Sequence, residues 1–145
     1  MFQNPSPDEL RTMLKAIKTI AVLGLSDKAD RPSYRVARAL QSFGYTIIPV
    51  RPGDGKVLGE TSYSQLADVP GVPDLVDVFR APEHVPAIVD ECIRLGVKRI
   101  WLQEGVVNEA AALKARQAGI EVVMDCCIWK EYEALFPEFA GKMQH

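Results

Sequence analysis

Phe43-Gly44-Tyr45-Thr46-Ile47-Ile48-Pro49-Val50 ends a helix on a glycine and enters an apolar strand, and the chain makes that transition twice more. Leu95-Gly96-Val97-Lys98-Arg99-Ile100-Trp101-Leu102 is the second instance, and Ala118-Gly119-Ile120-Glu121-Val122-Val123-Met124 the third. Glycine closes a helix in the left-handed conformation without a steric penalty, and the apolar runs that follow suit buried strands. Upstream, Thr19-Ile20-Ala21-Val22-Leu23-Gly24 is apolar on both faces, the pattern of a buried parallel strand. Pro73-Asp74-Leu75-Val76-Asp77-Val78-Phe79 supplies one strand more.

Helices fill the intervals. Ser6-Pro7-Asp8-Glu9 announces the first, with Ser6 as cap, Pro7 at the first helical position and Glu9 completing a capping box. Leu10, Met13, Leu14 and Ile17 then recur at helical spacing. Val36, Ala37, Leu40 and Phe43 mark a second helix that starts near Pro32 and stops at Gly44. Others are expected from Pro82 to Leu95, from Asn108 to Ala118 and from Ile128 to Phe136, with a short connecting helix between Gly59 and Leu66. Strand and helix alternate throughout. The expectation is one doubly wound α/β domain over residues 1–145, Rossmann-like, with a five-stranded parallel sheet and helices on both faces. Right-handed crossovers make 3-2-1-4-5 the default strand order.

Composition narrows the function classes. Seventeen basic and nineteen acidic residues leave a net charge of −2, so there is no general field to draw in nucleic acid. The three cysteines (92, 126 and 127) match no zinc spacing, and adjacent cysteines do not easily reach disulfide geometry. They read as reduced thiols. The opening Met1-Phe2-Gln3-Asn4-Pro5 lacks the basic-then-apolar pattern of a signal peptide, and no apolar run approaches the roughly 20 residues of a membrane span. A soluble, cytoplasmic protein is expected.

In an open α/β sheet, ligands bind beyond the carboxyl ends of the strands, at the switch point beside the first strand. That rule selects Gly24, Ser26, Arg31, Pro32 and Ser33 after the first strand and Arg51 after the second. It selects Arg80 and Pro82 after the third, and Gln103 and Gly105 after the fourth. Three arginines thus fall on one edge of an acidic protein, and arginine pairs well with phosphate. The helix beginning at Pro32 adds backbone N–H groups and a positive dipole end, and Gly24 is placed to let backbone approach a pyrophosphate. Each residue alone is more readily a solvated loop group; together they favour a phosphate site. The loop Gly24-Leu25-Ser26-Asp27-Lys28-Ala29 keeps one glycine of the three in the dinucleotide fingerprint, and Arg51 stands where an acidic residue would hold a ribose. NAD is disfavoured; NADP and coenzyme A, both with a phosphorylated ribose, remain.

Gly24-Leu25-Ser26, Arg31-Pro32-Ser33-Tyr34, Pro49-Val50-Arg51-Pro52, Asp77-Val78-Phe79-Arg80, Trp101-Leu102-Gln103-Glu104-Gly105 and Asp125-Cys126-Cys127 resemble, in order, the small bacterial and archaeal CoA-binding domain proteins. The layout is also similar to the N-terminal CoA-binding domain of the succinyl-CoA synthetase α subunit. The resemblance implies a Rossmann-type fold holding coenzyme A by its nucleotide end. Gly24, Ser26, Arg31 and Ser33 would form the phosphate loop, Phe79, Arg80 and Pro82 would flank the adenosine or pantetheine arm, and Gln103 and Gly105 would line the crevice. Family members often carry asparagine at the place of Arg51, so its phosphate role rests on the reading of the residues alone.

Glu104, Asp125, Cys126 and Cys127 are the candidates for chemistry, and bland readings weigh against them: a cap or ion pair for Glu104, inert small hydrophobes for the thiols. The reading favoured is a module that binds coenzyme A or an acyl-CoA without catalytic machinery of its own. The alternative is an NADP-binding oxidoreductase or redox-sensing module. Trp129, Tyr132, Leu135 and Phe136 form an apolar stripe read as core packing, with self-association or a partner subunit left open.

Overall fold

The computed structural model describes residues 1–53 and 55–139; Asp54 of the loop after the second strand and the terminal His145 lie outside them. The strands are β1 (Thr19–Leu23), β2 (Thr46–Val50), β3 (Lys56–Val57), β4 (Glu60–Thr61), β5 (Leu75–Val78), β6 (Arg99–Leu102) and β7 (Glu121–Val123). The helices are α1 (Pro7–Ala16), α2 (Pro32–Ser42), α3 (Val85–Leu95), α4 (Glu109–Gln117) and α5 (Ile128–Leu135). The expected capping box forms: the Ser6 Oγ accepts from the Glu9 N–H at 3.2 Å, and Glu9 accepts from the Ser6 N–H at 2.9 Å.

Five strands make one parallel sheet in the order β2-β1-β5-β6-β7. Alternation along each strand splits the core in two. Ile20, Val22, Ile47, Leu75, Trp101 and Val123 face α1, α2 and α5. Ala21, Leu23, Val76, Val78, Ile100, Leu102 and Val122 face α3 and α4. Both layers are apolar because both are covered, which is why the strands read as continuous hydrophobic runs. The C-terminal stripe is core packing, with Trp129, Tyr132 and Phe136 all buried.

Counting only the strands of this sheet, the order is 2-1-3-4-5 rather than the expected 3-2-1-4-5. The cause is the segment between β2 and β5. The short helix expected between Gly59 and Leu66 is instead the β3–β4 hairpin followed by a 3₁₀ turn at Leu66–Asp68. Leu66 and Val69 bury themselves in the α3–α4 layer. The connection therefore crosses beneath β1 and delivers β5 to its far side, moving the switch point to the β1–β5 seam.

Candidate functional site

Because β1, β2 and β5 are parallel neighbours, the loops that follow them share one edge, and Arg31, Arg51 and Arg80 all emerge there. The floor of the seam is built from backbone. The Phe79 N–H donates to the Leu23 carbonyl at 2.9 Å, and the Gly24 N–H to the Val50 carbonyl at 2.9 Å. Gly24 has φ +83°, and a Cβ there would lie 2.3 Å from the Phe79 carbonyl oxygen and 3.0 Å from the Arg80 Cδ. The space a side chain would fill is thus taken by the end of β5, and the glycine is required by that close approach.

The β1–α2 loop is organised by its serines. The Ser26 N–H donates to the buried Ser33 Oγ at 3.0 Å, and the Ser26 Oγ accepts from the Lys28 N–H at 3.0 Å. Ser33 therefore sits under the loop and sets its path, while Ser26 lies nearer its surface. Arg31 occupies the N-cap of α2 in an extended conformation and its side chain makes no capping bond. The contrast with α1, capped by Ser6, and α4, capped by Asn108, is direct. Pro32 at the first helical position has no N–H to lose, so the uncapped start of α2 points its remaining donors and its positive dipole end at the edge.

Across the seam, Phe79 is half-buried, Arg80 is exposed, and Pro82 opens a 3₁₀ turn ahead of α3. Arg51 is tethered through its backbone N–H to the Tyr63 carbonyl at 2.8 Å. Its guanidinium lies 3.6 Å from the Asp27 carboxylate. Gln103 is buried, and its Oε1 accepts from the Ile128 N–H at 3.2 Å, so it supplies the cap that Cys127 does not give α5. The exposed Gly105 donates its N–H to the Asp125 Oδ1 at 2.7 Å, and Asp125 holds the left-handed φ of +62° needed to reach it. Glu104 pairs with Lys130 at 3.0 Å, neither capping a helix nor meeting an arginine.

Two features escaped the sequence reading, the spare arginines of α2 and the buried Asp77, and a third bears on the Cys126 thiol, already a candidate. Arginines elsewhere are occupied, Arg11, Arg94 and Arg99 in ion pairs and Arg116 over the Phe2 ring, and at this edge Arg51 is paired with Asp27. Arg31, Arg35, Arg38 and Arg80 have no such partner among the described residues, and all four cluster at this edge. Asp77, on the central strand, is completely buried, between Val22 and Trp101 of the adjoining strands. Neither of its oxygens has a hydrogen-bond partner among the described residues, and desolvation pushes its carboxyl well above the usual range. Finally, the Cys126 thiol is pushed up by burial and then by Glu131, Asp125 and Glu104, which disfavours the reactive thiolate. No cluster of metal-binding side chains occurs among the described residues, and no helix there is long and apolar enough to cross a membrane.

The CoA binding domain family matches residues 18–133, a span that contains every loop just described. The chain belongs to this family. As a CoA-binding domain it is similar to YneT of Bacillus subtilis (strain 168), 42% identical over 127 residues, covering 88% of this chain and 94% of that protein. It is 28% identical over 81 residues to the ADP-forming acetate–CoA ligase of Methanocaldococcus jannaschii, covering 56% of this chain but 12% of the ligase. Among solved structures, the Thermus thermophilus protein cell-free ID.343 superposes with a TM-score of 0.87 at 35% identity, covering 91% of this chain and all (100%) of that one. The family and the parallel α/β architecture expected from the residues therefore stand.

Proposed function

We propose that this CoA-binding domain holds coenzyme A, free or as an acyl thioester, across the β1–β5 seam and acts as a carrier, sensor or partner subunit rather than as an enzyme. The observation that carries the reading is the uncapped start of α2 beside the unpaired Arg31 and Arg80, in a chain of this family. The diphosphate would lie against the α2 start, between Arg31 and Arg80, with the Ser26 hydroxyl in reach and Ser33 fixing the loop. The ribose phosphate would meet Arg51, in exchange for Asp27. Phe79 and Pro82 would flank the arm, with Gly105 and the Gln103 region lining its path. The ligase relative, which joins acetate to CoA, fits the same ligand class. The raised Cys126 thiol and the Glu104–Lys130 pair leave the edge poorly equipped for nucleophilic or acid–base chemistry.

Thermal melting with CoA, 3′-dephospho-CoA, NADP and NAD at matched concentrations tests this. A ligand at 100 times its Kd adds about 2.7 kcal/mol, a shift of several degrees. CoA should stabilise most, with the effect reduced by loss of the 3′-phosphate or by Arg51→Ala. Stabilisation by NADP alone would replace coenzyme A with a hydride carrier and favour the oxidoreductase reading.

A further inference from the structure

At the same carboxyl edge, a cavity of about 320 Å³ lies between α2 and α5. Val36 and Trp129, both buried, give it an apolar floor. Arg35 and Arg38 stand on its α2 wall, nearly one turn apart, exposed and without an ion pair or hydrogen bond among the described residues. The other charges at its rim, Lys130 and Glu104, neutralise each other at 3.0 Å. An apolar floor beside two uncompensated guanidiniums selects an anion with a hydrocarbon body.

Position says which part of a ligand arrives there. Arg51 follows β2 and Glu104 follows β6, on opposite sides of the β1–β5 seam. A coenzyme with its ribose phosphate at Arg51 and its diphosphate at the start of α2 sends its arm toward β6. Pro32, which opens α2, also borders the cavity, so the cavity adjoins the helix start. Resting on the coenzyme A reading above, the geometry points to this cavity as the seat of the acyl group, and to acyl chains that end in a carboxylate. The methylenes lie on Val36 and Trp129, and the terminal carboxylate is held by Arg35 and Arg38.

Calorimetric titration of the full chain with CoA, valeryl-CoA and glutaryl-CoA tests the assignment, since the two thioesters share a five-carbon acyl chain and differ in the terminal carboxylate. Glutaryl-CoA should bind about tenfold more tightly than valeryl-CoA, the factor expected of a single charge-assisted contact. In an Arg35→Gln/Arg38→Gln double variant the two thioesters should bind alike, while CoA itself binds within about threefold of wild type. Both positions are exposed and glutamine is a good helix former, so the variant should fold, with circular dichroism as the check. Equal affinities in the wild-type chain, or a preference that survives in the double variant, overturn the acyl seat and leave the coenzyme A reading standing. No binding of CoA itself overturns that reading, and the acyl seat with it.

Discussion

At the amino edge of the sheet, Arg11 donates to the Leu135 carbonyl, pairs with Glu138 and lies over the Phe136 ring. At the carboxyl edge, Arg31, Arg35, Arg38 and Arg80 meet no partner among the described residues. The amino edge also holds a cavity, about 470 Å³, lined by Phe43, Tyr45, Tyr132 and Phe136. There the rings are engaged with one another: Phe43 stacks on Tyr132 at 4.0 Å and Tyr132 on Phe136 at 4.6 Å. Tyr45 donates to the Leu14 carbonyl, and burial pushes its hydroxyl up. At the amino edge the rings and Arg11 are engaged with one another, although the exposed Lys15 and Lys18 also border that cavity. At the carboxyl edge four arginines stand unpaired beside an uncapped helix start. Cavity size alone would therefore favour the amino edge, whereas the proposed coenzyme site rests on the unpaired arginines and uncapped helix start of the carboxyl edge.

The comparison breaks most sharply at Gly24. A Gly24→Ala change combines a left-handed φ with a Cβ 2.3 Å from the Phe79 carbonyl. Strain and overpacking together should cost about 3–5 kcal/mol, measurable by urea unfolding, and CoA binding should fail in the fraction that folds. A neutral Gly24→Ala would mean that the ends of β1 and β5 do not set the floor of the site. Phe136→Ala offers the opposite test. It removes a buried ring from the amino-edge stack and should cost about 3 kcal/mol, yet leave the CoA affinity of the folded protein unchanged. Weakened binding in that variant would show the two ends to be coupled.

Asp77 separates burial from function on the carboxyl side. Desolvation pushes its carboxyl well above the usual range in the folded chain, whereas the unfolded chain releases that proton in the ordinary carboxylate range. Between those two values the folded state binds more protons, so stability falls as pH rises, by up to about 1.4 kcal/mol per pH unit. Urea unfolding from pH 4 to pH 8 should show this decline in wild type. Asp77→Asn should flatten it, gaining on wild type as pH increases. A pH slope unchanged by the substitution would mean that Asp77 finds a partner for its charge.

Much of this was legible in the chain. The helix–glycine–strand transitions at Gly44, Gly96 and Gly119, the Ser6 capping box and the both-faces-apolar strands are local signals, and each produced the element it announces. Strand order was not legible, because it depends on where Leu66 and Val69 bury themselves, and that is a long-range choice with no local signature. The loops that follow the strands were found by topology alone, so their location survived the change in order. Their internal wiring was not found. Gln103 capping α5, Asp125 reaching Gly105 and Glu104 turning to Lys130 are contacts more than 15 residues apart in sequence, between groups whose types suit many partners. Asp77 was hidden for a similar reason, since an acidic residue between two valines reads as an ordinary strand position until its neighbours are known.

The smallest predicted effect concerns the one arginine at this edge that is already paired. Asp27 reaches Arg51 at 3.6 Å from the β1–α2 loop, with its own side chain 56% exposed. A pair so open to solvent contributes little to stability, so Asp27→Asn should leave the unfolding midpoint nearly unchanged. Its effect on ligand should be larger, because the carboxylate occupies the guanidinium that the ribose phosphate needs and repels that phosphate besides. The Kd for CoA should fall about two- to fivefold in Asp27→Asn at low salt, and the gain should shrink as ionic strength rises. With 3′-dephospho-CoA there is no phosphate to compete, and the variant should bind it as wild type does. Weaker CoA binding in the variant would reverse the assignment: Asp27 would then be holding a ribose hydroxyl or ordering Arg51, and its pairing in the unliganded chain would be part of the site rather than a competitor for it.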